Sequence, residues 1–514
     1  MCGAAGSASP HRGCPACGLL YCCRACQSAD WPLHRGAECS ALAGARGKGR
    51  AFPPSLRLVA RALRLVAAAG EPPPPLPPLG ALDGALCAAL RGPAGLLALA
   101  HNLERHGEVL VEEFGALAPA LAQLGCADGA SGSGSSDDGA APAAGEVLRM
   151  FARARCAAFT LADAELRPWG VGFFPLGGAL NHSCTPNCVV QFKPGRSGGG
   201  GVTQALRTVA PVAAGEQLTL AYVDVGLPTH LRRAALRAGY FFECGCPLCA
   251  HYDGGGGGVL LEEVGGAPPQ ESQRQQQQQQ QQPQPPPPPR WRFADTLSPR
   301  DAQLLSLRCA RAGCGGATVA LTPPPDARPP LTDTGAVFAL PCSRCGAALP
   351  PDRARALSEL YTAAAPRAAD DVKRARAALA LARRVLEPTH HLLGALAAAA
   401  AHAEVGAGEW ERAAAANAAA LPALRFAYPA GHPLPGLHLA MAGKLAHLAD
   451  APREAVAHLR AAVEALAAPL GGDHELCRDL AARLHAAESE VEAGEAGDRE
   501  AGGRRREPLA RLLP

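Results

Sequence analysis

The cysteines of this chain come in close groups, and that grouping restricts its fold more than any other feature. Most of the twenty cysteines in its 514 residues fall into short-spaced sets: Cys14-x2-Cys17, Cys22-x3-Cys26, Cys244-x-Cys246-x2-Cys249, Cys309-x4-Cys314 and Cys342-x2-Cys345. Such spacings suit metal ligation, and a secreted disulfide framework is the alternative to exclude. The start, Met1-Cys2-Gly3-Ala4-Ala5-Gly6, lacks the charged segment followed by an apolar one that marks a secretory signal. The cysteine content therefore predicts metal binding in a reducing compartment, cytoplasm or nucleus. Arg, His and Glu break the Ala-rich stretches, so no apolar run reaches membrane-spanning length. A net charge of +3 gives no push toward nucleic acid or a membrane surface, and neither is expected as a direct partner.

The first cysteine group holds Cys2, Cys14, Cys17, Cys22, Cys23, Cys26, His34 and Cys39. Thiolates with one imidazole suit tetrahedral zinc. A second group, Cys309, Cys314, Cys342 and Cys345, predicts a four-cysteine zinc site on two knuckles. Between them stands Asn181-His182-Ser183-Cys184-Thr185-Pro186-Asn187-Cys188. Asn, Ser and the Thr-Pro pair favour side-chain to backbone bonding, so the octet reads as an irregular turn with polar groups pointing into a pocket. Asn181 and His182 are placed to hydrogen-bond a ligand, and Cys184 to bind metal.

Downstream lie Gly215-Glu216-Gln217-Leu218-Thr219-Leu220-Ala221-Tyr222 and Tyr240-Phe241-Phe242-Glu243-Cys244-Gly245-Cys246-Pro247-Leu248-Cys249. Octet, strand and cysteine tail, in this order, resemble the catalytic half of a SET-domain protein-lysine methyltransferase. The early cysteines with Trp31-Pro32-Leu33-His34 resemble a MYND finger, so the whole is similar to the SET-and-MYND family, closest to its histone-methylating branch. The resemblance implies an α+β chain: a SET β-fold with an inserted zinc finger, plus an all-α, TPR-like C-terminal domain. It implies that Cys14, Cys17, His34 and Cys39 hold one zinc and that Cys22 and Cys26 supply half of another, with Cys2 the one cysteine ahead of them. Cys184 with Cys244, Cys246 and Cys249 would hold a third zinc that pins the tail against the octet. With Cys309, Cys314, Cys342 and Cys345 the count reaches four.

The implied activity is methyl transfer from S-adenosylmethionine to protein lysines, histones among them, with Pro-rich peptides docking on the finger. Tyr222 would orient the lysine nitrogen and the cofactor's transferring methyl, Tyr240 and Phe242 would wall the lysine channel and contact the cofactor, and Asn181 with His182 would bind the cofactor. Asn102 stands either as a further cofactor contact or as an exposed helix residue. The lysine must react as a neutral amine, which costs roughly 4 kcal/mol near neutral pH. Burial beside a sulfonium cation lowers that cost through desolvation and like charge. Two departures from the family pattern stand at Ala157, where Asn is usual, and at Gly178, often Ser. The chain also begins inside the finger, ahead of which the family carries a Gly-rich, cofactor-binding segment. That reads as a truncated gene model or an altered start, and its rival reading is a catalytically weak adaptor that binds Pro-rich partners.

By pattern the chain divides into a partial finger at 1–40, a helical insertion at 41–146 with a disordered stretch at 125–145, and a catalytic segment at 147–229. A cysteine tail at 230–252 leads to a low-complexity linker at 253–292 and a knuckle segment at 293–350. The TPR-like domain spans 351–495, its helices ending near Glu492, and 496–514 is a disordered tail. Within the helical domain, His390 and His391 read as solvent-facing.

Overall fold

A computed structural model describes residues 12–21, 23–69, 90, 92–106, 112–113, 116–125, 144–194, 201–250, 297–321, 338–364 and 371–500. Cys2, Cys22, most of 125–145, the 253–292 linker and the tail beyond residue 500 lie outside them. The chain forms two compact units, Met1–Tyr222 with Ala235–Glu243, and Val223–Ala234 with Cys244–Pro514.

The first unit begins with a two-stranded turn, β1 (Arg12–Gly13) against β2 (Leu20–Tyr21), followed by α1 (Arg24–His34), α2 (Ala37–Gly47) and α3 (Pro54–Ala69). The apolar spacing of α3 buries Leu56, Val59 and Leu63 in a core shared with Met150 and Phe151 of α4 (Ala144–Ala157). The segment around Asn102 forms short 3-10 turns, Pro93–Ala98 and Leu103–Arg105, instead of a helix. Asn102 itself takes a left-handed conformation, with φ 47°.

Two hairpins follow. β3 (Ala158–Ala162) pairs antiparallel with β4 (Pro168–Phe173), and β6 (Cys188–Pro194) with β7 (Val202–Thr208). The octet is not wholly a turn: β5 (Asn181–His182) pairs in parallel with β8 (Thr219–Leu220), and Cys188 already belongs to β6. The parallel bridge at one end and the antiparallel pairing of Cys188 with Thr208 at the other overrule the local turn propensity of the octet. Its middle keeps the expected bonding, Thr185 N–H donating to Ser183 Oγ at 3.1 Å.

A helix, α5 (Thr229–Tyr240), carries the chain from the second unit back into the first. In the second unit, α6 (Pro299–Leu304) precedes a small sheet in the order β11-β10-β9, with β9 Ser306–Arg308, β10 Ala317–Leu321 and β11 Phe338–Ala339. Then come α7 (Pro351–Ala363), α8 (Val372–Val385), α9 (His391–Gly406), α10 (Trp410–Ala427), α11 (Pro433–Leu448), α12 (Pro452–Leu470) and α13 (Glu475–Glu500). Each of these helices packs on the next, with Gly394 close against Ala423 and Gly443 close against Leu459. The last helix runs past Glu492. His390 is fully buried rather than solvent-facing: as the residue before α9 it turns Nδ1 inward to accept the Leu392 N–H at 3.1 Å.

Candidate active site

Four of the expected site residues meet in the first unit. The Tyr222 and Tyr240 rings stand 4.8 Å apart, and Phe242 meets Tyr222 edge-on at 6.5 Å. His182 lies 5.4 Å from Tyr222 and 5.9 Å from Phe242. Asn181, on β5 beside them, is exposed. Backbone pairing of the octet with β8 brings His182 beside Tyr222, and α5 delivers Tyr240 as its last residue with Phe242 two positions on. Asn187 locks that register: its Oδ1 accepts the Thr219 N–H at 2.8 Å, and its amide donates to the Gln217 carbonyl at 2.9 Å and to Glu216 at 3.3 Å. Asn187 and Glu216 therefore tie the two motifs together.

Tyr222 donates its hydroxyl to the Leu180 carbonyl, and Tyr240 donates to the Tyr222 carbonyl at 3.3 Å. Burial first, and then the neighbouring Tyr240, pushes the Tyr222 phenol up to about 12. Near neutral pH it keeps its proton, which the Leu180 carbonyl accepts, so toward a ligand the phenol oxygen acts as an acceptor and not as a base. The His182 ring is engaged at both nitrogens. Nδ1 accepts the Tyr222 N–H at 3.0 Å, which leaves the proton on Nε2, 3.2 Å from Cys184 Sγ. The ring thus orients Tyr222 and the sulfur.

Sequence reading missed the support behind this group. Phe241 is held at φ 61°, a left-handed conformation costly for an aromatic residue. Arg105 fixes it by donating to the Phe241 carbonyl at 2.8 Å, and the His106 ring meets the Phe241 ring edge-on at 4.5 Å. Asn102 sits on the same turn, with its amide 3.9 Å from Cys156 Sγ. Left-handed strain at a site has no local sequence signal when the residue is Phe. The two departures from the family pattern also share one spot. A Cβ on Gly178 would lie 2.9 Å from Leu99 Cδ2 and 3.8 Å from the Ala157 Cβ.

Among the described residues, three groups of cysteine and histidine have donor atoms close enough to hold a metal: Cys14, Cys17, His34 and Cys39; Cys244, Cys246 and Cys249; and Cys309, Cys314, Cys342 and Cys345. In each group these atoms all lie within 4.8 Å of one another. A tetrahedral zinc with Zn–S near 2.3 Å and Zn–N near 2.05 Å sets S···S edges of about 3.8 Å and S···N edges of about 3.6 Å. Cys14 Sγ to Cys39 Sγ is 3.7 Å, and Cys17 Sγ to His34 Nε2 is 3.5 Å. The residues therefore fit zinc. The other His34 nitrogen, Nδ1, faces Glu38 at 3.4 Å, the carboxylate–histidine arrangement typical of a metal-bound imidazole. Glu38 is 1% exposed and takes hydrogen bonds from Arg57 and Arg61 of α3, while Arg61 also holds Asp30. Burial raises the Glu38 carboxyl, but Arg61, Arg57 and Arg64 outweigh it and keep it below the usual carboxylate range. Cys26 is buried at the start of α1, its N–H donating to Cys23 Sγ at 3.4 Å. Cys184 is fully buried beside His182.

A family model for the SET domain matches residues 138–223, the stretch that holds these hairpins, the octet and Tyr222. The chain is 30% identical over 237 residues to the mouse histone-lysine N-methyltransferase SMYD3, covering 45% of this chain and 47% of that protein. It is 26% identical to the Arabidopsis thaliana histone-lysine N-methyltransferase ASHR1, over 46% and 44% of the two chains. With the zebrafish N-lysine methyltransferase SMYD2-B it shares 29% identity over 45% of each. Over these stretches the chain is similar to SMYD proteins. Its matches span about half the length of these relatives.

Proposed function

We propose that the protein is an S-adenosylmethionine-dependent protein-lysine N-methyltransferase. The observation that carries this reading is the half-buried Tyr222 ring grouped with Tyr240, Phe242 and His182 in and beside the stretch that the SET model matches. The methyl donor is a sulfonium cation, and a set of aromatic faces with inward hydroxyls and a carbonyl suits such a cation. Asn181, the His182 backbone, Tyr240, Phe242 and Asn102 would hold it. When bound, it supplies an electrophilic methyl group.

The chain's own residues do the rest. Tyr240 and Phe242 exclude water from the lysine amine and so favour its neutral form. Tyr222 orients the nitrogen through its hydroxyl while the Leu180 carbonyl fixes the phenol's direction. Alignment of this kind supplies about 7 to 11 kcal/mol of barrier reduction in good cases. Cys184 completes a zinc site with Cys244, Cys246 and Cys249, and the His182 Nε2–H supports its thiolate. Cys14, Cys17, His34 and Cys39 hold a second zinc. Cys26 contributes to a third, with Cys22 or Cys23 beside it. The substrates are protein lysines, histones included, and the finger docks Pro-rich peptides. The C-terminal helices are TPR-like, and the working compartments are cytoplasm and nucleus. Among the described residues no helix is long and apolar enough to cross a membrane.

The test is incubation of the full chain with labelled S-adenosylmethionine and either histones or a demethylated lysate, with labelled residues identified by mass spectrometry. Label on lysine supports the reading. Donor binding without transfer to any lysine would favour an adaptor instead.

A further inference from the structure

The geometry points to a structural zinc at Cys309, Cys314, Cys342 and Cys345 whose task is to close the first end of the C-terminal helical stack. Nothing in a SET segment or a MYND finger calls for this site, and it stands apart from the methyl-transfer reading.

The site is built. Cys309 Sγ to Cys345 Sγ is 3.7 Å and Cys314 Sγ to Cys342 Sγ is 3.8 Å, the edge lengths of a tetrahedral zinc tetrathiolate and far beyond an S–S bond of about 2.05 Å. Each knuckle is shaped by left-handed glycines, Gly313 (φ 72°) and Gly315 (φ 63°) in one and Gly346 (φ 69°) in the other. Backbone amides support the sulfurs and the turns. Arg311 N–H donates to Cys309 Sγ at 3.4 Å, and Gly346 N–H to the Cys342 carbonyl at 2.9 Å. The knuckles are tied crosswise as well, Ser343 N–H donating to the Ala317 carbonyl at 2.9 Å and Arg344 to the Cys314 carbonyl at 2.6 Å. At Gly316 a Cβ would stand 2.7 Å from Cys342 Sγ, so the backbone approaches the sulfurs as closely as glycine allows. Four thiolates in a tetrahedron select zinc over harder divalent cations.

The sheet between the knuckles needs such a clip. Its strands are three, five and two residues long, too short to persist alone. Yet Leu307 and Ala320 are fully buried in the core formed by Leu357, Leu360, Val385, Leu386 and Leu392 of the first helices. Leu307 bridges Leu386, the Ser306 carbonyl accepts the Glu387 N–H at 3.0 Å, and Arg308 donates to the Leu386 carbonyl at 3.0 Å. A stack of helix pairs exposes an apolar face at each end unless a cap covers it. Here the clipped sheet is that cap for α7, α8 and α9.

The full-length protein tests this in two ways. Under reducing conditions, alkylation followed by mass spectrometry should find the four cysteines protected with zinc bound and modified once a chelator removes it. Metal analysis should give one zinc fewer per chain in Cys309→Ser/Cys345→Ser than in the wild type. Hydrogen exchange should then rise in residues 306–321 and 379–396. Equal alkylation with and without zinc, an unchanged zinc count, or iron in place of zinc would overturn the proposal. The alkylation experiment uses wild-type protein, so it decides the matter even if the double variant fails to fold.

Discussion

Glu38→Gln should loosen the finger from two directions at once. The carboxylate is 1% exposed and faces Arg61 Nη2 at 2.8 Å, Arg57 Nη2 at 3.3 Å and His34 Nδ1 at 3.4 Å. One such pair is worth about 4 kcal/mol of Coulomb energy at an effective dielectric of 20, but each arginine remains about a quarter exposed, which screens part of it. Removing the charge strands two or three arginines beside a neutral amide, with a net cost of about 3 kcal/mol. It also removes the group that orients His34, and loss of such a partner weakens metal binding about 10- to 100-fold, or 1.4 to 2.8 kcal/mol. Denaturant unfolding at saturating zinc isolates the first effect. Competition with a chelator of known affinity measures the second. Unchanged zinc affinity in a folded Glu38→Gln protein would refute the orienting role of Glu38, and with it the assignment of His34 Nε2 as a ligand.

Buried histidines should make the second unit acid-sensitive. Burial holds His390 down at about 3, and burial with the nearby His402 holds His438 at about 4, whereas both take up protons near 6.5 when unfolded. Their contribution is full above pH 6.5 and is lost as pH falls toward 4, by about 2 kcal/mol per histidine at pH 5. Urea unfolding across that range should show the slope, and His438→Gln should flatten it; a flat wild-type profile would count against burial of both rings. Gly226→Ala should cost about 1 to 3 kcal/mol, because its Cβ would stand 2.5 Å from Tyr428 Cζ while that ring is held by the 2.8 Å bond from its hydroxyl to Asp224. A denaturation midpoint equal to wild type would show that the ring yields freely.

The metal groups were legible because a thiolate pair needs only a turn, so Cys14-x2-Cys17 or Cys342-x2-Cys345 announces itself locally. What stayed hidden depends on distant partners. Glu38 gains its arginine from 23 residues away, and the strand character of Asn181 and His182 exists only through Thr219 and Leu220. His390 looked exposed because polarity was its only local cue, yet a capping position turned the ring inward. The left-handed Phe241, fixed by Arg105 from 136 residues away, carries no sequence mark at all.

The most direct measurement is methyl transfer by wild type and Tyr222→Phe on the same lysine substrate, with donor affinity determined in parallel. The substitution keeps the ring against Tyr240 and Phe242 and removes one hydroxyl. A positioning hydroxyl at the reacting centre predicts a fall in kcat on the order of 10²-fold with donor affinity nearly unchanged. Equal kcat in the two proteins would contradict the role given to Tyr222, and absence of lysine methylation by the wild type would contradict the proposed function itself.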